Sequence, residues 1–166
     1  MKRGEILELD IDAMAFGGRG IGRVDGFVIF VPGAVPGDRV RIRIKKKKKS
    51  FAEAHLVEIL AAAPERIEPP CGHFGLCGGC KWQNLPYERQ LAYKKDHVAE
   101  LVGRVGGVTE AVVHDPIPCG EPFRYRNKME FSFSEKGWLT KDELDDPTVS
   151  KEFALGFHLP GRHDRI

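Results

Sequence analysis

The sequence lacks any long apolar run. None of its hydrophobic stretches approaches the ~20 residues that a helix needs to cross a bilayer, so we expect no membrane role. The first ten residues alternate apolar with acidic side chains instead of forming the apolar core of a secretory signal, which predicts a cytoplasmic location. Hydrophobic residues make up 42% and charged residues 30% of the 166, a composition typical of a soluble chain of one or two small domains.

The glycine cluster at 17–22 lacks the spacing of a nucleotide-binding loop. Arg23 stands where the G-x-G-x-x-G fingerprint needs its third glycine, and no strand–helix–strand pattern follows. A glycine turn between two strands is the better interpretation. Nucleophilic catalysis also has little support, because nothing in the sequence fixes a paired nucleophile and base; Cys119 with His114 is one imaginable pair and no more than a guess.

Residues 5–59 have the pattern of a small all-β unit. Apolar and polar residues alternate at its start and again at 39–45, and a short apolar run occupies 27–31. Glycine-containing turns separate these segments at intervals of roughly ten residues, which is typical of a small barrel. We predict a mainly β fold that begins with a five-stranded barrel of the OB type. In the segment at 39–45, the period of two sends Val40, Ile42 and Ile44 to one face and every charge to the other.

Positive charge is concentrated in the first third of the chain. Residues 1–60 hold twelve Lys and Arg against eight Asp and Glu, whereas the remainder holds fourteen against sixteen. Five of the twelve are consecutive, at 45–49. Such a run indicates either a solvated strand end or a contact to nucleic-acid phosphates, and both remain open. The residues predicted to bind RNA here are Arg43, Lys45, Lys46, Lys47, Lys48 and Lys49.

A second basic segment lies in a strand predicted at 123–133, which has the strongest alternation in the chain. Its aromatic and basic side chains are interleaved, a pattern that suits single-stranded or looped RNA, because bases stack on rings and phosphates pair with cations. The solvated face of a half-buried strand has the same pattern, so both interpretations remain open. The RNA-binding candidates on this strand are Arg124, Arg126 and Lys128.

Prolines and glycines divide the remaining sequence. Three prolines at 64–70 mark a connector, which predicts two domains, 1–62 and 63–166. A helix is predicted from Pro86 to about residue 105, ended by glycines, and a further strand is predicted at 153–159. The helix carries an apolar stripe that predicts core packing, formed by Tyr87, Leu91, Val98, Leu101 and Val102.

Three of the four cysteines are clustered. Cys71, Cys77 and Cys80 lie within ten residues in the run CGHFGLCGGC, whereas Cys119 lies far downstream. Thiolates are soft ligands, and at this spacing they suit zinc or an iron–sulfur cluster. Zinc sites usually pair two C-x2-C motifs, so the tripled C-x5-C-x2-C favours iron–sulfur. His73 lies within the loop, but a lone histidine beside three thiolates is more often a bystander.

Together and in this order, these segments resemble the RNA 5-methyluridine (uracil-C5) methyltransferases. DGFVIFVPGAVPGDRVRIRIKKKKKSFAEAHLVEI is similar to the N-terminal TRAM domain of that family, an RNA-binding OB-like barrel. PPCGHFGLCGGCKWQNLPYERQLAYKK is similar to its iron–sulfur motif and the helix that follows. RYRNKMEFSF and LGFHLPGRHDRI are similar to its central β domain.

The resemblance implies a [4Fe–4S] cluster with Cys71, Cys77 and Cys80 among its ligands. It also implies S-adenosylmethionine as methyl donor and a cysteine nucleophile that attacks C6 of uracil so that C5 accepts the methyl group. In the family, the fourth cluster ligand and the catalytic domain follow the segment matched by GFHLPGRHDRI. We therefore expect them beyond Ile166 and expect this chain alone to be inactive. The implied substrate is RNA, ribosomal in preference to transfer RNA, bound by a monomer.

A second hypothesis is a non-enzymatic RNA-binding module. In it, all four cysteines including Cys119 form a structural zinc site. Both hypotheses predict RNA binding that weakens with salt, so salt dependence does not separate them.

Overall fold

The structure, a computed structural model, describes residues 1–135, 137–150 and 152–159. It confirms the mainly β prediction, because five strands form a closed barrel, and a helix and a two-stranded sheet follow along the chain. The barrel strands are β1 (Ile6–Ala15), β2 (Arg19–Val24), β3 (Phe27–Pro32), β4 (Arg39–Lys47) and β5 (Phe51–Ala61).

The barrel closes in the order β1-β2-β3-β5-β4, with β4 pairing back to β1. Every neighbouring pair is antiparallel except β3 with β5, which run parallel with Val28 opposite Phe51. This arrangement is OB-like, as predicted. Closure leaves the sheet without an edge strand, which removes a surface on which another chain could add a strand.

The barrel core follows the two-residue period of the strands. Val40, Ile42 and Ile44 are at most 1% exposed, which confirms the face predicted for β4. The buried side chains of this core come from four of the five strands, β1, β3, β4 and β5, and from one loop: Leu9, Ile11, Ile29, Val31, Ala34, Val40, Ile42, Ile44, Ala52 and Ala54. The predicted glycine turn is also present, since Gly17 and Gly18 join β1 to β2 with positive φ angles of 87° and 80°.

A buried polar hub fixes the connector to the barrel. The carboxylate of Asp38 is fully buried and accepts hydrogen bonds from the backbone N–H of Val35 and Ala63 and from the guanidinium of Arg66. Arg66 also donates to the carbonyl of Gly33, which accepts a second bond from Asn84 Nδ2. The segments on both sides of the cysteine run are therefore held by the same part of the barrel.

The predicted helix is confirmed as α1 (Tyr87–Glu100), which begins directly after Pro86 and continues as a π-helical turn at Leu101–Val105. The side chain that it buries is His97, at 7% exposure. The predicted apolar stripe is wrong in part, because Val98 and Leu101 are 49% and 43% exposed. A helical period predicts that apolar residues share a face, but the neighbour that faces them decides which face is buried.

His97 lies in a second cluster, beside the barrel. Its Nε2 atom is 2.7 Å from the carbonyl oxygen of Met14, which only accepts, so Nε2 carries a proton. Its ring packs edge-on against Trp82 and Phe16. The buried apolar members of this cluster are Met14, Val35, Ala63 and Leu85.

The long strand predicted at 123–133 is largely wrong. The structure has a short sheet in which β6 (Ser132–Ser134) pairs with β7 (Ala154–Gly156). The alternating residues before β6 stay outside regular structure, and Tyr125 is 66% exposed. Alternation predicts two faces, but a strand also needs a neighbour for its backbone hydrogen bonds, and within the described residues β7 supplies only three positions. A short helix, α2 (Lys141–Leu144), lies between β6 and β7.

The chain packs as two compact units, each described by itself. One unit joins Met1–Pro70 to Lys81–Gly120, and the other joins Cys71–Cys80 to the residues from Glu121 onward. These units describe which segments pack together and not which segments fold on their own. The predicted division into the domains 1–62 and 63–166 therefore stays a prediction. The last residues of the segment LGFHLPGRHDRI, 160–166, lie outside the described residues. Within the residues that are described, no helix is long and apolar enough to cross a membrane.

Candidate nucleic-acid interface and cysteine segment

The structure brings the lysine run together at one end of β4. Arg43 and Lys45–Lys47 are exposed residues of that strand, and Lys48 and Lys49 form the exposed turn to β5. The turn is closed by a backbone bond from Lys48 N–H to the carbonyl of Phe51. Among the described residues none of these six cations forms an ion pair, so their charges remain available to an anionic ligand.

Arg41, on the same face of β4, has a structural role instead. Its guanidinium pairs with Glu8 at 2.8 Å and with Glu58 on the two neighbouring strands. The hydrogen bond to Glu8, together with the charge of Glu58, raises the pKa of Arg41 above its ordinary value. The outward face of β4 thus divides into a neutralised part at Arg41 and an unpaired basic part from Arg43 onward.

An aromatic and basic groove lies on the outer face of the same barrel. We call it the Phe30 groove; its volume is about 70 Å³ and its lining includes Arg19, Phe30, Pro32, Lys45, Glu53 and His55. Because Ile29, Val31, Ala52 and Ala54 point into the core, the residues between them on β3 and β5 point outward. The parallel pairing of β3 with β5 places Phe30 opposite Glu53 and so forms the floor.

The contacts of Phe30 define the geometry of this groove. The guanidinium carbon of Arg19 lies 4.6 Å from the centroid of the Phe30 ring, a cation–π contact. The ring of Phe51 meets Phe30 edge-on, with centroids 5.5 Å apart and planes at 75°. Arg19 also lies 3.7 Å from Glu53, and both side chains are more than one-third exposed. The groove therefore presents a planar cation on an aromatic ring to solvent.

The second predicted basic segment lines a groove in the other compact unit. Tyr125, Arg126, Lys128 and Phe157 line an open depression of about 470 Å³. Lys128 pairs with Glu130 at 3.2 Å, but both side chains are more than 80% exposed, so the pair is weak. Arg124 is exposed, has a left-handed backbone with φ of 58°, and is not part of this lining. The structure thus brings together two of the three predicted cations.

The cysteine segment consists of turns and contains no helix or strand. Cys71 and Cys80 are exposed and Cys77 is partly buried, and none of the four cysteines, all of which are described, forms a disulfide. Backbone bonds shape the loop, from Phe74 N–H to the carbonyl of Cys71 and from Cys77 N–H to the carbonyl of His73. Gly79 N–H points at Cys77 Sγ, 3.2 Å away.

These residues fit a thiolate metal site in part. The soft donor set and the amide directed at a sulfur atom suit an iron–sulfur centre, where such hydrogen bonds tune the cluster. The positions of the sulfur atoms do not fit such a centre, because no group of three His, Cys, Asp or Glu side chains in the described part of the chain is arranged to hold a metal ion. The ligand roles of Cys71, Cys77 and Cys80 therefore stay predictions.

Cys119 belongs to the other compact unit. It is exposed, and its backbone N–H donates to the hydroxyl of Tyr87 on α1 at 2.8 Å. That bond fixes its backbone and leaves any ligand role of the thiol unassigned. The sequence pattern did not identify Arg19, Phe30 and His55 as candidate site residues, and they lie on three different strands. Their outward positions follow from the two-residue period, but their meeting follows from the pairing of β3 with β5.

Comparison with known proteins gives a match of the first part of the chain to one family, and relatives that match most of this chain over about a third of their own length. Residues 1–57 match the TRAM domain family. A protein of Bacteroides thetaiotaomicron named "Uncharacterized RNA methyltransferase" is 44% identical over 92% of this chain and 34% of its own length. A protein of the same name from Porphyromonas gingivalis is 40% identical over 95% of this chain and 35% of its own length.

Among solved structures, a conserved protein of Methanococcus maripaludis is 40% identical. The match covers 34% of this chain and 81% of that protein, with a TM-score of 0.33. The two relatives named RNA methyltransferases are much longer than this chain, which spans about a third of their length.

Proposed function

We propose that this chain, an RNA methyltransferase N-terminal region with a TRAM barrel, binds the RNA substrate of an enzyme that forms 5-methyluridine. The observation that carries the proposal is the unpaired basic end of β4 beside an aromatic groove, on a barrel that matches the TRAM family. Cations bind phosphates without regard to sequence, and exposed rings stack on unpaired bases. The relatives named RNA methyltransferases support the enzyme class.

The finer chemistry is proposed from the resemblance of the cysteine and YRNK segments. S-adenosylmethionine would supply the methyl group, and uracil C5 in ribosomal RNA, in preference to transfer RNA, would receive it. The role of this chain's own residues is to bind and orient the RNA. Arg43 and Lys45–Lys49 would hold phosphates, and Tyr125, Arg126 and Lys128 would contact a looped segment in the second groove.

The proposed metal centre is a [4Fe–4S] cluster with Cys71, Cys77 and Cys80 as ligands. When bound, it would supply a rigid cross-link within the loop, because metal binding contributes folding free energy. Gly79 N–H would direct its hydrogen bond to the ligand sulfur of Cys77.

Methylation tests the enzyme class and the target base. The protein encoded by the complete gene would be incubated with tritiated S-adenosylmethionine and with ribosomal or transfer RNA, and the product nucleoside identified by mass spectrometry. We expect 5-methyluridine in ribosomal RNA. Methylation of another base would overturn the uracil-C5 proposal, and the absence of methyl transfer to any RNA would overturn the enzyme class.

Anaerobic reconstitution of the same protein with iron and sulfide tests the metal centre. Iron content and the visible absorption of the cluster would be compared between Cys77→Ser and Cys119→Ser. We expect Cys77→Ser to lose the cluster and Cys119→Ser to keep it. Loss of the metal in both variants, or bound zinc without iron, would favour the four-cysteine zinc site instead.

A further inference from the structure

We propose that the Phe30 groove is the place where the barrel binds one unpaired base of its RNA. The inference rests on the proposed function, that the barrel binds RNA, and adds where a base lies and which form of RNA is selected. The lysine run does not locate a base, because phosphate contacts position a nucleic acid but carry no direct information about its bases.

The stacking surface is the first part of the argument. Arg19 lies over the Phe30 ring, and its side chain retains 40% of its exposure. A guanidinium plane and an aromatic ring are the two protein surfaces on which unpaired bases stack. Phe51, edge-on to Phe30, and Glu53, beside Arg19, limit the movement of both groups. The platform is thus already ordered before a base arrives, which lowers the entropy cost of binding.

The charges around the groove match a single strand of RNA. Lys45 and His55 line it, and Lys45 begins the lysine run, so a strand with one base on Arg19 has its phosphates within the same basic surface. Glu53 is the only carboxylate among the lining residues, and Arg19 neutralises it. The groove therefore attracts a polyanion although it contains one acidic residue.

The size of the groove excludes an enclosed nucleobase, and the need for an unstacked base excludes duplex RNA. At about 70 Å³ it is too shallow to enclose a nucleobase, so a base lies across Arg19 and does not enter a pocket. Base pairs inside duplex RNA are stacked on both faces and offer no free face to a ring. We therefore expect a preference for single-stranded over duplex RNA.

The variant Arg19→Lys tests the platform because it keeps the positive charge and removes the plane. The matched control is Arg23→Lys, four residues along the same strand, where the guanidinium pairs with Asp12 and, among the described residues, has no cation–π contact. Fluorescence anisotropy would measure the binding of labelled oligouridylate and of a blunt RNA duplex to the 166-residue chain. Both variants should unfold at the temperature of the wild type.

We expect Arg19→Lys to weaken oligouridylate binding at least about fivefold, with duplex binding unchanged. Arg23→Lys should leave both unchanged. If the wild type binds oligouridylate and duplex equally, or if the two variants behave alike, the groove has no role while RNA binding by the barrel stands. If the wild type binds neither RNA, the proposed function itself is wrong, and this inference with it.

Ultraviolet cross-linking gives a second, independent reading of the site. After irradiation with oligouridylate and digestion with trypsin, we expect the uridine adduct on the peptide that contains Arg19, 4–19, or 4–23 where the adduct blocks cleavage at Arg19. Phe30→Leu should lose that adduct and weaken oligouridylate binding. An adduct confined to 123–133 would place the base in the other groove and overturn the inference.

Discussion

Arg66 closes a two-pronged ion pair on the fully buried carboxylate of Asp38, with Nε 3.0 Å from Oδ1 and Nη2 2.6 Å from Oδ2. The two residues are 28 positions apart, and their contact fixes the connector before the cysteine run to the barrel. A buried pair is sensitive to the loss of one partner, because the charge that remains has no water to solvate it.

Arg66→Leu should therefore lower the free energy of unfolding by about 3–5 kcal/mol. Urea denaturation followed by circular dichroism measures the change. The control is Glu8→Gln, which breaks an exposed pair with Arg41 and should cost about 1 kcal/mol or less. Equal losses in the two variants would show that the Asp38 pair contributes no more than a surface contact.

The same carboxylate predicts a pH dependence. Burial alone would raise the pKa of Asp38, but the hydrogen bonds from Arg66, Val35 and Ala63 together outweigh it and hold the pKa below its ordinary value. A lowered pKa stabilises the fold above the unfolded value of about 3.9, and this contribution disappears as the pH falls through the folded pKa.

Asp38→Asn should thus be less stable than the wild type at neutral pH, and the gap should narrow below about pH 4. Melting temperatures of both proteins between neutral and strongly acidic pH check this. Other carboxylates titrate in the same range, so the difference between the two curves is the relevant quantity. A gap that stays constant down to the lowest pH would contradict the assignment.

Gly18→Ala should be strongly destabilising. Gly18 has a φ of 80°, and an added Cβ would lie 1.9 Å from Nε1 of Trp82. Gly26→Ala is a matched control, with a φ of 78° and no atom of the described residues within 4 Å of the added Cβ. Gly26→Ala should cost about 1–2 kcal/mol from the backbone alone, and Gly18→Ala clearly more. Thermal unfolding would compare them, and equal costs would refute the close contact with Trp82.

His97→Leu should cost about 1–3 kcal/mol, because it leaves the buried carbonyl of Met14 without its donor. Val98→Ala, at the next position of α1, should change stability by less than about 0.5 kcal/mol, since Val98 is 49% exposed. Chemical denaturation measures the free energy of unfolding of both variants. If the apolar stripe predicted from the sequence were the buried face, Val98→Ala would be the more destabilising change.

RNA affinity should fall as the salt concentration rises, and the slope of log K against log salt should be proportional to the number of lysines in contact with phosphates. Replacing both Lys48 and Lys49 with Gln should reduce the slope of log K against log salt by about 1.4, at about 0.7 per contact with a single strand. Replacing Lys94 and Arg104 with Gln, which are exposed residues outside the barrel, should leave the slope unchanged. Anisotropy titrations at several salt concentrations measure it, and identical slopes in the two double variants would remove the lysine turn from the interface.

The barrel was predictable because its information is local. Alternation at 39–45 identified both the strand and its buried face, and the glycine turns separated the strands. The strand at 123–133 had stronger alternation but fewer backbone partners, so only its last residues joined a sheet. Sequence period thus predicts which side chains share a face and does not predict whether a neighbouring strand is present.

By itself the sequence determined the mainly β fold, the inward and outward faces of the barrel strands, the start of α1 after Pro86 and the spacing of the cysteines. These depend on residues close together in the chain. Only the tertiary structure decided that Arg19 lies over Phe30, that Arg66 reaches Asp38, and that α1 buries His97 and leaves Val98 exposed. Those contacts join distant segments, and the closure of the barrel through β3 and β5 brings them together.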